Sequence, residues 1–232
     1  MGAAFITGGA KRIGKAIAVF LAEAGFDIAL HYNDSLNEAK LTQTEIKQIG
    51  KKCVLFKCDF NNIKESRKLI KKVKNKFPNL CLLVNNASVF EEGLFLKTDI
   101  KKFEKTFTVN FTVPFFLSQD FGKLCKKGHI INMLDTNILR KHSKYFAYIL
   151  SKKVLYEFTK MTAYELAPKI RVNAIAPGPT LPPFGKDDKF ISNIPLKTKG
   201  ELKNILQSVN YLIENNFVTG ECLFVDGGQY LT

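Results

Sequence analysis

Residues 80–84 read Leu-Cys-Leu-Leu-Val, five apolar side chains in succession. A strand with one wet face alternates apolar and polar residues; an unbroken apolar run belongs to a strand covered on both faces. Comparable short runs occur at Ala3–Thr7, Asp27–Tyr32, Cys53–Cys58, Gly128–Met133, Ile170–Ile175 and Cys222–Val225. Helical patterns separate them. Ile13, Ile17, Phe20, Leu21 and Ala24 share one face of a helix closed by Gly25. A polar helix runs to Gly50, and Ile63–Phe77 forms one helix before Pro78. A long helical stretch precedes Gly128, Phe146–Leu166 leads to Pro168, and Glu201–Asn215 precedes the last strand. Strands joined by such helices make right-handed crossovers in a parallel sheet. The expected fold is therefore α/β: a doubly wound parallel sheet of about seven strands with helices on both faces. The 232 residues form one domain without internal repeats. The segment Pro177–Gly200, with Pro179, Pro182, Pro183 and Pro195, reads as a surface loop over a site.

Several classes are excluded by composition. No run of 18 uncharged apolar residues appears, so no membrane-spanning helix is expected. The five cysteines are odd in number and contain no CxxC pair. Neither a disulfide framework nor a metal site follows, and unpaired thiols fit a reducing, cytoplasmic setting. The N-terminus lacks a basic segment followed by an apolar one, so no signal peptide is expected. The net charge of +14 raises nucleic-acid binding. The lysines at 71, 72, 74 and 76 and at 101, 102 and 105 are instead spaced as the outer faces of amphipathic helices, for example beside Leu69, Ile70, Val73 and Phe77. A solvated basic surface, not a nucleic-acid partner, is the expectation.

Thr7-Gly8-Gly9-Ala10-Lys11-Arg12-Ile13-Gly14 joins the first strand to the first helix. Glycines let a backbone turn tightly and approach a pyrophosphate, whose charge is met by helix-terminal N–H groups. A glycine-rich turn is weak evidence alone. At the head of a βαβ unit it stands in the context that dinucleotide binding requires.

The whole chain resembles the short-chain dehydrogenases/reductases, with their Rossmann-type sheet. The family pattern TGxxxGxG appears with Arg12 in place of its middle glycine. Further blocks follow in order: Asp59 after the third strand, Asn85-Asn86-Ala87-Ser88 after the fourth, Asn110 in a helix, and Tyr148-Ile149-Leu150-Ser151-Lys152. Pro177-Gly178 and Thr219-Gly220 with Val225-Asp226-Gly227-Gly228 complete the set. The TGGAKRIG form resembles the pteridine and dihydromonapterin reductase branch. The resemblance implies cofactor contacts at Gly8, Lys11, Arg12, Ile13, Tyr32, Asn33 and Ser35. It implies the same for Asp59, Phe60, Asn86, Ala87, Ser88, Lys152, Pro177 and Gly178. It also implies a homotetramer, or failing that a dimer, built through Phe146–Leu166 and Val225–Thr232.

An acid at the end of the second strand would bind the ribose 2′-hydroxyl and select NAD. Tyr32 occupies that place. Lys11 and Arg12 can meet a 2′-phosphate, and a guanidinium suits phosphate geometry. NADPH is the expected cofactor. Asp34, where the pteridine reductase branch carries a basic residue, counts against it.

Tyr148 and Lys152 stand four residues apart on a predicted helix and share a face. A neighbouring ammonium favours a phenolate, so Lys152 is expected to lower the Tyr148 pKa. By resemblance Tyr148 relays the proton, Lys152 tunes it and holds the nicotinamide ribose, and Asn110 belongs to the same catalytic group. The family's serine stands thirteen residues before the tyrosine; here that residue is Asp135. A ketone reductase needs a neutral hydroxyl there. A pterin ring nitrogen must be protonated as hydride arrives at the neighbouring carbon, and an acid held partly neutral by burial supplies that proton. The competing reading of Asp135 is a loop cap. Phe90 stands where the pteridine reductases stack a phenylalanine on the pterin, and Ser88 beside it can bond pterin or cofactor. The expected substrate is thus a pterin contacting Ser88, Phe90, Asp135 and Tyr148. The rivals are a carbonyl reductase of 3-oxoacyl chains and a non-catalytic nucleotide sensor.

Overall fold

A computed structural model describes residues 2–140, 144–180 and 194–232. Seven strands form one sheet: β1 (Ala3–Ile6), β2 (Asp27–Tyr32), β3 (Cys53–Lys57), β4 (Leu80–Asn85), β5 (Gly128–Met133), β6 (Ile170–Pro177) and β7 (Cys222–Val225). Their order is β3-β2-β1-β4-β5-β6-β7, and every neighbouring pair is parallel. This is the doubly wound Rossmann-like α/β fold. Side chains alternate along β1, so Ala4 and Ile6 enter one core layer and Ala3 and Phe5 the other. The first layer is closed by α1 (Arg12–Glu23), α2 (Leu36–Gln48) and α8 (Leu202–Glu214), through Ile17, Leu21, Ile46 and Val209. The second is closed by α4 (Leu69–Lys76), α6 (Val113–Leu124) and α7 (Phe146–Leu166), through Ile70, Val73, Leu117 and Ala163.

One helical reading is corrected and a second is refined. The helix expected over Ile63–Phe77 is broken into α3 (Ile63–Ser66) and α4. The Ser66 hydroxyl donates back to the Ile63 carbonyl at 2.9 Å, and the Lys68 N–H bonds Glu65 three residues back. Such local bonds compete with the regular helical ladder. The long helical stretch before β5 is α5 (Ile100–Phe107) and α6 joined by a π-helical turn, Thr108–Thr112. In α4, Leu69, Ile70 and Val73 are buried while Lys71, Lys72 and Lys76 face solvent. Residues 181–193 of the expected loop Pro177–Gly200, with Pro182 and Pro183, lie outside the described residues. Among the described residues no helix is long and apolar enough to cross a membrane.

Candidate active site

The chain builds outward from β1 to β3, then returns to β4 and builds the other way to β7. A crevice forms where the order reverses, beyond the carboxyl ends of β1 and β4. A cavity of about 570 Å³ opens there. Its floor is the turn from Gly8 to Gly14. Gly8 has φ +62°, and a Cβ on Gly14 would fall 2.2 Å from the Gly8 carbonyl oxygen and 2.5 Å from Asn86 Nδ2. Only glycine fits that approach. The turn is stitched to the end of β4. Backbone N–H groups of Asn86 and Ala87 donate to Thr7 Oγ1 at 2.9 and 3.0 Å. Asn86 Nδ2 donates to the carbonyls of Thr7 and Gly8 at 2.9 and 3.1 Å.

Helix α1 opens onto this floor. Its N-cap, Lys11, makes no side-chain cap bond, and its first turn holds no acid. The terminal N–H groups and the helix dipole thus favour an anion. Lys11, Arg12 and Ile13 line the cavity. Arg12 replaces a family glycine yet keeps a glycine-like backbone, with φ +55°. Tyr32, Asn33, Asp34 and Ser35 form one wall, where the Asn33 amide donates to Asp34 at 3.0 Å, so the acid that counts against NADPH does line the cavity. Asp59 and Phe60 form another, with Asp59 Oδ1 accepting from the backbone and amide of Asn61, both at 2.9 Å. Asn86, Ala87 and Ser88 close the third. Pro177 and Gly178 stand apart at the end of β6, with the Gly178 N–H bonded to Val225. They do not line this cavity, and neither does Lys152.

A second cluster lies past the end of β5. Asp135 caps the 3₁₀ turn Thr136–Leu139, its Oδ1 accepting from the Asn137 N–H at 2.8 Å and the Asn137 amide at 2.7 Å. Its Oδ2 accepts from the Tyr148 hydroxyl at 2.9 Å. The alternatives in the sequence were a proton-supplying acid and a loop cap; Oδ1 makes the cap, and Oδ2 faces the Tyr148 hydroxyl. Asp135 is half-buried, and its two oxygens take part in all three bonds.

The expected lowering of the Tyr148 pKa is reversed. Burial raises it well above the ordinary tyrosine value, and the charge of Asp135 and its hydrogen bond raise it further. Lys152 does not offset this. Its Nζ donates to the Met133 carbonyl at 2.8 Å and lies 5.9 Å from the Tyr148 ring centre. Burial lowers the Lys152 pKa to about 8, with Asp135 acting the other way. The tyrosine keeps its proton and donates it to Asp135.

Asn110 sits in the π turn and is fully buried. Its Oδ1 accepts from Ser88 Oγ at 3.2 Å and the Val89 N–H at 2.8 Å. Its Nδ2 donates to the Val89 carbonyl at 3.0 Å and to Ser151 Oγ at 3.1 Å, and Ser151 donates to the Tyr148 carbonyl at 2.6 Å. The side chain thereby holds the Ser88 segment against α7.

Phe90 is 53% exposed, not core. One face stacks on Tyr145, with centroids 4.3 Å apart at 19°, and its edge meets Tyr148 at 4.7 Å. The main chain fixes this pairing. Gly93 and Tyr145 form an isolated parallel bridge, with the Gly93 N–H on the Lys144 carbonyl at 2.8 Å and the Phe146 N–H on the Gly93 carbonyl at 2.9 Å.

Two residues that sequence reasoning did not single out stand in the site. Tyr145 carries the Phe90 ring, and its signal was an aromatic one turn before Tyr148. His31 lines the cavity while buried to 3% exposure. Its signal was an imidazole in an apolar strand, one residue before that strand enters the crevice.

Comparison with known proteins agrees with this geometry. The family described as enoyl-(acyl carrier protein) reductase matches residues 8–229. The uncharacterized oxidoreductase YohF of Escherichia coli is 32% identical across 98% of this chain and 95% of its own. The 3-oxoacyl-(acyl-carrier-protein) reductase FabG of Staphylococcus epidermidis is 28% identical across 98% of both chains. Among solved structures, FolM alternative dihydrofolate reductase 1 from Brucella suis, in complex with NADP, superposes with a TM-score of 0.93. It shares 36% identity and covers 100% of this chain and 96% of that one. With a family match running across nearly its whole length, the chain belongs to the short-chain dehydrogenase/reductase family of oxidoreductases.

Proposed function

We propose that the protein is an NADPH-dependent reductase of a pterin-type substrate, of the dihydromonapterin, dihydrobiopterin or dihydrofolate kind. The observation that carries this reading is Asp135 in the place of the family serine, with its Oδ2 2.9 Å from the Tyr148 hydroxyl. The Brucella FolM structure, 36% identical and bound to NADP, supports it.

The cavity suits the cofactor: a floor that only glycines permit, open helix-terminal donors, and Lys11 and Arg12 at its rim. The Gly8–Gly14 turn would hold the pyrophosphate and Arg12 and Lys11 would meet the 2′-phosphate, while Lys152, outside this cavity beside Tyr148, would meet only a nicotinamide ribose reaching past it. Tyr32, Asn33, Ser35, Asp59 and Phe60 line the remainder. When bound, NADPH supplies the hydride that reduces a pterin C=N bond at carbon. Tyr148 and Asp135 share one proton and deliver it to the adjacent ring nitrogen, so that the bond becomes CH–NH. Phe90 and Tyr145 offer aromatic faces to a flat heterocycle. Asn110 fixes Ser88 and the Tyr148 backbone, which positions both sides of the site.

A second reading is reduction of a 3-oxoacyl carbonyl, favoured by the FabG relative. Assays of NADPH oxidation with dihydropterins, dihydrofolate and a β-keto ester separate the two. Dihydropterin turnover should exceed keto-ester turnover. In Asp135→Ser it should fall by roughly 100- to 10,000-fold, the usual cost of losing an acid–base group, with NADPH affinity little changed. A serine variant as fast as wild type reduces Asp135 to a loop cap and leaves a generic short-chain reductase.

A further inference from the structure

We infer that His31 is a positioning residue that sets the shape of the cofactor cavity by joining the three loops around it. The inference rests on the reading of that cavity as the NADPH site.

His31 is the penultimate residue of β2, one residue before the wall that begins at Tyr32. It holds the glycine turn twice. The Gly8 N–H donates to its Nδ1 at 3.0 Å, and the Gly9 N–H donates to its carbonyl at 2.9 Å. On the other side its Nε2 lies 3.0 Å from the Cys58 carbonyl, immediately before Asp59. The ring of Phe60 stacks on the imidazole, with centroids 4.1 Å apart at 11°.

These partners fix the proton. A backbone N–H can only donate and a carbonyl can only accept, so Nδ1 is bare and Nε2 carries hydrogen. The ring must be neutral to make both bonds. Burial agrees, holding the His31 pKa down at about 4.

The consequence falls on Gly8. Its left-handed backbone is chosen from a wide range open to glycine, and the His31 acceptor pins it. The room to move is slight: a Cβ on Gly8 would already meet the Ala87 Cα at 3.0 Å. A turn that loses its acceptor shifts to satisfy the freed, partly buried N–H, and the phosphate floor shifts with it. Phe60 loses its platform at the same time. Neither Tyr148 nor Lys152 bonds His31, so the effect belongs to cofactor binding.

Three substitutions separate positioning from bulk packing. In His31→Asn the amide oxygen stands near the Nδ1 position and keeps the acceptor for Gly8. In His31→Gln the amide reaches the Cys58 side and leaves Gly8 without one. In His31→Phe the stack on Phe60 remains and both bonds go. The chain has no tryptophan, so the emission of NADPH itself reports binding. The Gln and Phe variants should raise the NADPH Kd and KM roughly ten-fold, about 1.4 kcal/mol, with the loss falling on KM rather than kcat. The Asn variant should restore binding to within about three-fold of wild type. Far-UV circular dichroism checks folding, and the Asn and Gln pair decides the matter even where Phe fails to fold. Variants that bind NADPH as wild type does, or an order that ignores the Gly8 acceptor, overturn the inference. A wild-type chain that binds no NADPH overturns the reading of the cavity and this inference with it.

Discussion

Acid should unfold this protein through two imidazoles. His31 and His129 are buried to 3% and 6% exposure. Burial lowers the His31 pKa from 6.5 to about 4. Burial first, then the charge of Arg171, lowers that of His129 from 6.5 to about 3. His129 on β5 faces the Arg171 guanidinium at 3.2 Å and the Asn173 amide at 3.0 Å, both on β6. Both folded pKa values are depressed, so between pH 6.5 and 4 the unfolded chain binds protons that the folded one refuses. Stability is complete above pH 6.5 and falls as pH falls. At a pH of about 4.5 each imidazole has lost about two units, together about 5 kcal/mol. A domain holds only about 5–15 kcal/mol in all. For a chain of this size that is a fall in Tm of about 10–20 °C. Thermal melts by circular dichroism at steps from neutral to acid pH measure it. The His31→Asn variant, which does not titrate in this window, should lose about half of the slope. A Tm unchanged across the window, or a slope the variant leaves intact, would refute the reasoning.

Wild-type protein should bind NADPH more tightly than NADH, and Arg12→Gly should weaken NADPH more than NADH; equal affinities in the wild type would count against the 2′-phosphate assignment. The same variant should fold without loss, because it relieves a left-handed arginine worth about 1–2 kcal/mol and offsets glycine's unfolded-state entropy of about 0.4–1 kcal/mol. Sedimentation should show a homotetramer. Met161 and Tyr164 on α7 are 68% and 85% exposed and Leu231 in the tail 71%, an apolar surface suited to pairing across two-fold axes. A monomer at micromolar concentration would overturn that expectation.

The strands were legible because each is a short, mostly apolar run; the central ones are buried on both faces, as in Leu80–Asn85, while β3 and β7 at the sheet edges are only partly covered. Periodicity could not show the break at Arg67–Lys68, since it arises from a Ser66 hydroxyl choosing a carbonyl. It could not show the π turn at Thr108–Thr112 either, because one extra residue per turn leaves composition untouched. In the site, the Gly8–Gly14 turn was readable from its place at the head of a βαβ unit, and the Asn86 segment only through the family resemblance. The protonation of Tyr148 was not. Its sign depends on how deeply the ring lies and on which neighbour its hydroxyl meets, and sequence supplied only the nearest cation, Lys152. His31 was hidden for a related reason: within Asp27–Tyr32 an imidazole reads as one more buried side chain until its partners from other loops are known.

The bridge between Gly93 and Tyr145 carries an evolutionary consequence. Its main-chain bonds tie the loop of Phe90 to the start of α7 beside the Asn110 side chain on Val89, and neither tie needs a particular ring at 90 or 145. On the proposed pterin reading, exchange at 90 or 145 should alter which ring the wall accepts while the backbone at Tyr148 keeps its place, so that one scaffold could drift among substrates by single codon changes.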